Sequence, residues 1–149
     1  MSPMHARLLC TCPLLLGVAL CDGSAEAQLW TQGTPMIQAR AHFAAATDGC
    51  GRVYAVGGVI TWSPTVEVTA SVERFDGIAW SPVASLPQPR AQHTAVGIGD
   101  FIYVMGGQLD STAQPPTTSV VRFDSKPSSQ GEWTSMPALN VARLGAVSV

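Results

Sequence analysis

Apolar residues in this chain come in short bursts separated by glycine, proline and polar turns, and nowhere in a stripe of helical period long enough to argue for a helix. The pattern predicts an all-β fold of short strands. Val53-Tyr54-Ala55-Val56 and Phe101-Ile102-Tyr103-Val104-Met105 are apolar at consecutive positions, so both faces of each strand require cover. Upstream of them, His42 to Thr47 and His93 to Ile98 read as first strands. They turn through Asp48-Gly49 and Gly99-Asp100, where glycine accepts the positive φ of a tight hairpin. Val72 to Phe75 and Val120 to Phe123 read as third strands, and the segments around Trp80 and Trp133 as fourth strands.

These elements recur in register. RAHFAAATDGCGRVYAVGG (Arg40 to Gly58) is followed by RAQHTAVGIGDFIYVMGG (Arg90 to Gly107), and SVERFD (Ser71 to Asp76) by SVVRFD (Ser119 to Asp124). Trp30, Trp80 and Trp133 each precede an arginine by ten residues, Arg40, Arg90 and Arg143, with successive units about fifty residues apart. A period near 50 with four strands per unit is that of a propeller blade. An apolar strand, Gly-Gly, an aromatic-Asp step, a tryptophan, and then Leu/Met-Pro ahead of an arginine resembles the kelch repeat. The resemblance implies a kelch-type β-propeller fragment, with four-stranded blades over about 40–86 and 90–139 and partial blades over 28–36 and 143–149. It also implies that the tryptophans are apolar plates between adjacent blades. Phe75 and Phe123 stand where kelch repeats usually carry tyrosine, and Met136-Pro137 lies further from its arginine than Leu86-Pro87 does.

Composition adds limits rather than an activity. A chain of 149 residues suffices for one domain with a core, and a net charge of −2 with 12% charged residues gives no polyanion-binding surface, so no nucleic-acid partner is expected. Residues 1–27 read as a signal peptide: His5 and Arg7, a mostly apolar stretch from Leu8 to Leu20, and Ala25-Glu26-Ala27 as the cleavage site before Gln28. Pro13 and the shortness of that stretch argue against a transmembrane span. The expected location is secreted, periplasmic or extracellular. Lipid anchoring at Cys21 is the second reading, through Val18-Ala19-Leu20-Cys21, although Leu20 stands where a small residue belongs. Cys10, Cys12 and Cys21 would leave with the leader, and Cys50 alone cannot close an internal disulfide.

Two whole units and two partial ones fall short of the roughly four to eight blades of a propeller. A blade cannot bury its apolar faces without neighbours. The sequence therefore raises two expectations, a partial chain from a longer ring or self-assembly of several copies, and Val149 in mid-blade favours the first.

Specificity on a repeated scaffold belongs to its variable loops, here Val59 to Ala70 and Gln108 to Thr118. Trp62, with no counterpart in the second loop, is the candidate contact for a sugar or peptide; packing down its own loop is its other use. Arg40, Arg90 and Arg143 enter the first strands near the mouth of a kelch channel. Together they could hold an acidic ligand through guanidinium forks, or each could bond carbonyls of a neighbouring blade. Arg74 and Arg122 recur inside third strands and read as packing residues. His42 and His93 are not strictly equivalent and lack the further ligands a metal needs, so neither metal nor cofactor is expected. No catalytic residue is assigned. The leading expectation is a protein- or ligand-binding module and not an enzyme. The alternative is a fragment of an exported sugar-active kelch enzyme: family resemblance admits mutarotases, with Glu67 or the arginines as candidates. Copper-radical oxidases are disfavoured because Tyr54 and Tyr103 are the only tyrosines and both fall in strands.

Overall fold

The computed structural model of the chain describes residues 31–109, 115–126 and 131–148. Residues 1–30, with the expected signal peptide and Trp30, and residues 110–114, 127–130 and 149 lie outside the described residues. Among those described there is no helix, and the strands are β1 (Ala44–Thr47), β2 (Val53–Val56), β3 (Val59–Thr61), β4 (Glu67–Val68), β5 (Val72–Phe75), β6 (Trp80–Val83), β7 (Thr94–Ile98), β8 (Phe101–Met105), β9 (Val120–Asp124) and β10 (Glu132–Met136). They form two four-stranded antiparallel sheets, β1-β2-β5-β6 and β7-β8-β9-β10, and a small β3-β4 hairpin. The all-β kelch-blade architecture expected from the repeat is present.

The first strands start later than the apolar pattern suggested. His42 and Gln92, each two residues after its arginine, sit at φ 52° and φ 53°, in the left-handed region, where a strand cannot continue. Within Val59 to Ala70, expected as loop, the β-branched run Val59-Ile60-Thr61 pairs back on Glu67-Val68. The described ends of the partial blades, 31–36 and 143–148, contain no strand.

Burial alternates along β8 and explains how the two sheets meet. Ile102 and Val104 are 1% and 0% exposed, while Phe101, Tyr103 and Met105 are only half-buried. The buried row packs with Tyr54, Val56 and Val72 of the first blade and with Val121 and Phe123 of its own into one core. Burying each such side chain stabilises by about 1.5–3 kcal/mol. The innermost strands β1 and β7 lie against each other, and Gly97 makes this possible: a Cβ there would fall inside contact distance of the Thr47 carbonyl oxygen.

Backbone bonds repeat at each joint between units. Gly58 N–H donates to Arg90 O (2.8 Å) and Gly107 N–H to Arg143 O (2.9 Å); Gln92 N–H donates to His42 O and Gly145 N–H to Gln92 O, both 2.9 Å. The Gly-Gly pairs permit this approach, since a Cβ on Gly58 would lie 2.7 Å from Ala41 O and one on Gly107 2.7 Å from Ala91 O. The tryptophans act as staples. Trp80 and Trp133 pack on their cross-strand partners Phe75 and Phe123 at 5.2 and 5.0 Å. Their indole N–H groups reach back to Thr34 O (3.0 Å) and Ala84 O (2.8 Å) in the preceding unit.

At the opposite end Asp48 accepts from the Cys50 and Arg52 amides, from the Arg52 guanidinium and from Tyr54 Oη, and Arg52 continues to Ser125 O of the second blade at 2.7 Å. Burial alone would raise the Asp48 carboxyl, but the Arg52 and Tyr54 hydrogen bonds outweigh it and hold the group below the usual carboxylate range. Burial and the Asp48 charge in turn push the Tyr54 hydroxyl up to about 12.

Candidate functional site

The β3-β4 hairpin and the segment entering β1 share one end of the first blade, tied by the Ala41–Val59 bridge. Between them opens a hollow of about 260 Å³ lined by Ala39, Arg40, Ala41, Val59, Ile60 and Trp62. The Trp62 indole is 55% exposed and meets the exposed His42 imidazole edge-on, with ring centroids 5.3 Å apart. His42 can take this place because its left-handed backbone turns the side chain out of the strand direction. An exposed aromatic plate beside aliphatic walls suits an apolar or stacking group.

Of the residues singled out from sequence, the structure brings Arg40 and Trp62 to this hollow, but the Arg40 side chain is buried. Its guanidinium is buried and donates to Gly57 O (2.9 Å), Ser71 O (3.0 Å), Ser71 Oγ (3.0 Å) and the Glu73 carboxylate (2.5 Å). Arg90 repeats the arrangement in the second blade, donating to Gly106 O and Ser119 O (both 3.1 Å) and to Ser119 Oγ (3.0 Å). It is 2% exposed, and burial lowers its pKa. Both arginines thus bond carbonyls of their own blade, clamping the Gly-Gly turn to the start of the third strand.

Arg143 differs. It is exposed, with Nε 3.4 Å from Val141 O, and lines a separate hollow of about 130 Å³ with Thr94, Met105, Leu139, Ala146 and Val147. Arg122 stacks on Phe101 of its own blade, 4.4 Å from the ring centroid. His93 is buried one position beyond the left-handed residue, whereas His42 occupies that residue itself, so the two histidines have unlike environments. Glu67 is exposed on β4 opposite Thr61; Tyr54 is buried and Tyr103 half-buried. Among the described residues no three His, Cys, Asp or Glu side chains converge to hold a metal ion. Among the described residues there is no helix long and apolar enough to cross a membrane.

The arginine clamp and the Gly-Gly joint recur in both blades with the tryptophan staple, and residues 89–140 match the kelch motif. This is a kelch-repeat chain. Kelch-like protein 23 of Homo sapiens is 32% identical over 128 residues, spanning 85% of this chain and 22% of the relative. The kelch repeat protein M-T8 of myxoma virus (strain Lausanne) is 29% identical over 118 residues, 79% of this chain and 22% of that protein. Kelch-like protein 13 of Homo sapiens is 32% identical over 92 residues, 59% of this chain and 13% of the relative. The kelch chain described here therefore spans about a fifth of the length of the first two relatives.

Proposed function

We propose that this chain forms part of a secreted kelch-repeat protein whose Trp62 end binds a partner protein, the hollow beside Trp62 receiving an apolar side chain of that partner. The observation that carries the proposal is a half-exposed indole on the β3-β4 hairpin, at the rim of an otherwise aliphatic hollow, in a loop whose counterpart in the second unit carries no tryptophan in its sequence. Carbohydrate sites need several convergent polar groups around the stacking ring. Here the nearest strong donor, the Arg40 guanidinium, is engaged by Gly57, Ser71 and Glu73. An extended segment with one apolar anchor suits this geometry better than a sugar.

A library of displayed random peptides selected on the 149-residue chain tests the proposal. Selected peptides should share an apolar anchor and lose at least about tenfold in affinity on Trp62→Ala, the scale of one interface aromatic, while the thermal midpoint of the variant stays within the range of a surface change. Equal binding to the variant, or selection confined to a glycan array, would overturn it.

An acidic group on the ligand is a secondary expectation that rests on Arg143, the one of the three repeat arginines whose residue is exposed. Secretion rests on the leader pattern in residues 1–27 alone, and sequencing of the exported protein should find Gln28 at its N-terminus; retention of the leader after export would reject cleavage there. Ring completion, by further repeats or further copies, is supported by the half-buried apolar row on the outer face of β8.

A further inference from the structure

His93 occupies a place that the other units fill with side chains that carry no charge. Three residues after each repeat arginine stand Phe43, His93 and Ala146. The first two pack alike: a Cβ on Gly58 would lie 2.8 Å from Phe43 Cβ, and one on Gly107 2.6 Å from His93 Cβ. The imidazole then reaches across the joint to the first blade, where a Cβ on Gly57 would lie 3.0 Å from its Cε1. His93 is 6% exposed, and neither ring nitrogen has a well-formed hydrogen bond among the described residues, the Val56 backbone being the one acceptor that acts on the imidazole.

The charge that acts on the imidazole is the Arg90 cation. Arg90, on the same segment, is buried and bonded to Gly106 O, Ser119 O and Ser119 Oγ, with no carboxylate among these partners. From the first blade Arg40 reaches the Gly57 carbonyl, and its own carboxylate partner, Glu73, is already shared with the Ile37 and Gln38 amides. The residues that meet His93 or the same turn, Gly57, Leu86, Ala91 and Gly107, have no titratable side chain.

We propose that the joint between the two blades is acid-labile with His93 as its trigger. A proton on the imidazole places a second cation beside Arg90 in a buried joint where, among the described residues, only the Val56 backbone offers an acceptor and does not offset burial and the Arg90 charge. The blades then part at the Gly58–Arg90 and Gln92–His42 backbone bonds. Burial first, and then the Arg90 charge, push His93 from 6.5 down to about 4. A histidine depressed in this way binds more protons once the joint opens. The closed joint is therefore fully stable above pH 6.5 and weakens as pH falls toward 4, by roughly 100-fold in the closed-to-open ratio.

Hydrogen exchange on the 149-residue chain between pH 7 and pH 4 reads this at the Gly58 and Gln92 amides, as protection relative to the intrinsic rate at each pH. Wild type should lose roughly 100-fold in protection. His93→Phe, which copies the first unit, and His93→Gln should lose little. A flat wild-type profile overturns the proposal, and so does an equal loss in either variant that folds. Binding at Trp62 is not involved in any of these readings, so the outcome is independent of the proposed function.

Discussion

Glu73 and Val121 stand at the same place in their blades, and the contrast between them shows how a buried arginine is accommodated in two ways. In the first blade Glu73 pairs with Arg40 and also accepts the Ile37 N–H (2.8 Å) and Gln38 N–H (3.1 Å). In the second, the residue matching Ile37 is Pro87, which has no N–H to satisfy, and the carboxylate is replaced by Val121. One of the donors and the acceptor have disappeared together. Glu73→Val should then destabilise the chain by about 3 kcal/mol, the scale of breaking a buried ion pair from one side. Ile37→Pro should be destabilising in the wild type but should recover about 1 kcal/mol in the Glu73→Val background, because it removes an amide left without its acceptor. Urea unfolding of the four proteins in the cycle measures the coupling, and additive effects would show that Ile37 and Glu73 do not depend on each other. The same contrast explains what sequence reading could not supply at the site. Recurrence of Arg40 and Arg90 was visible, but recurrence is silent on whether a guanidinium points to a ligand or into its blade. The acceptors, Gly57 O and Ser71 O or Gly106 O and Ser119 O, are backbone atoms that every sequence carries.

At the scale of elements, the strands with strong apolar patterns were legible and the weakly patterned ones were not. β2, β5, β8 and most of β9 fall where the sequence placed them, since their side chains face neighbouring sheets and their composition records it. Pro82 sits in β6, an outermost strand, where the lack of an N–H costs no ladder bond with a further neighbour. The β3-β4 hairpin was read as loop because Ser63, Pro64 and Thr65 dominate the segment, although Val59-Ile60-Thr61 held a strand signal. Register at the third arginine was also hidden. Leu86 N–H bonds Ala70 O, and Leu139 N–H bonds Thr118 O, both at 2.8 Å, so Leu139 and not Met136 is the counterpart of Leu86. Met36, Leu86 and Leu139 each stand four residues before their arginine, a spacing that the Met136-Pro137 dipeptide masks. Met136 instead closes β10, paired with Val120. Trp62 was legible as an unmatched aromatic; its partnership with His42 was not, because it depends on a left-handed backbone at a residue other than glycine.

For the whole molecule, the two sides of the second blade differ in what covers them. Ala95, Ile102 and Val104 face the first blade and are buried, whereas the opposite row of paired residues, Val96 with Tyr103 and Ile98 with Phe101, is half-buried or exposed. The row repeats the geometry by which the inner face meets its neighbour, with the Arg143 carbonyl already placed by Gly107 as Arg90 is by Gly58. A face of this kind gains a few kcal/mol for each large side chain it buries, so it favours a further blade over water. The 149-residue chain on its own should therefore associate as its concentration rises, a contact between copies standing in for the next repeat of a ring. Sedimentation velocity over a concentration series should show this association, and Val96→Lys with Tyr103→Lys should reduce it while leaving the joint between the two blades intact, since both side chains point away from that joint. A folded chain that stays monomeric throughout the series would mean that Phe101, Tyr103 and Met105 need no neighbour, and the two blades would then stand as a unit without a ring around them.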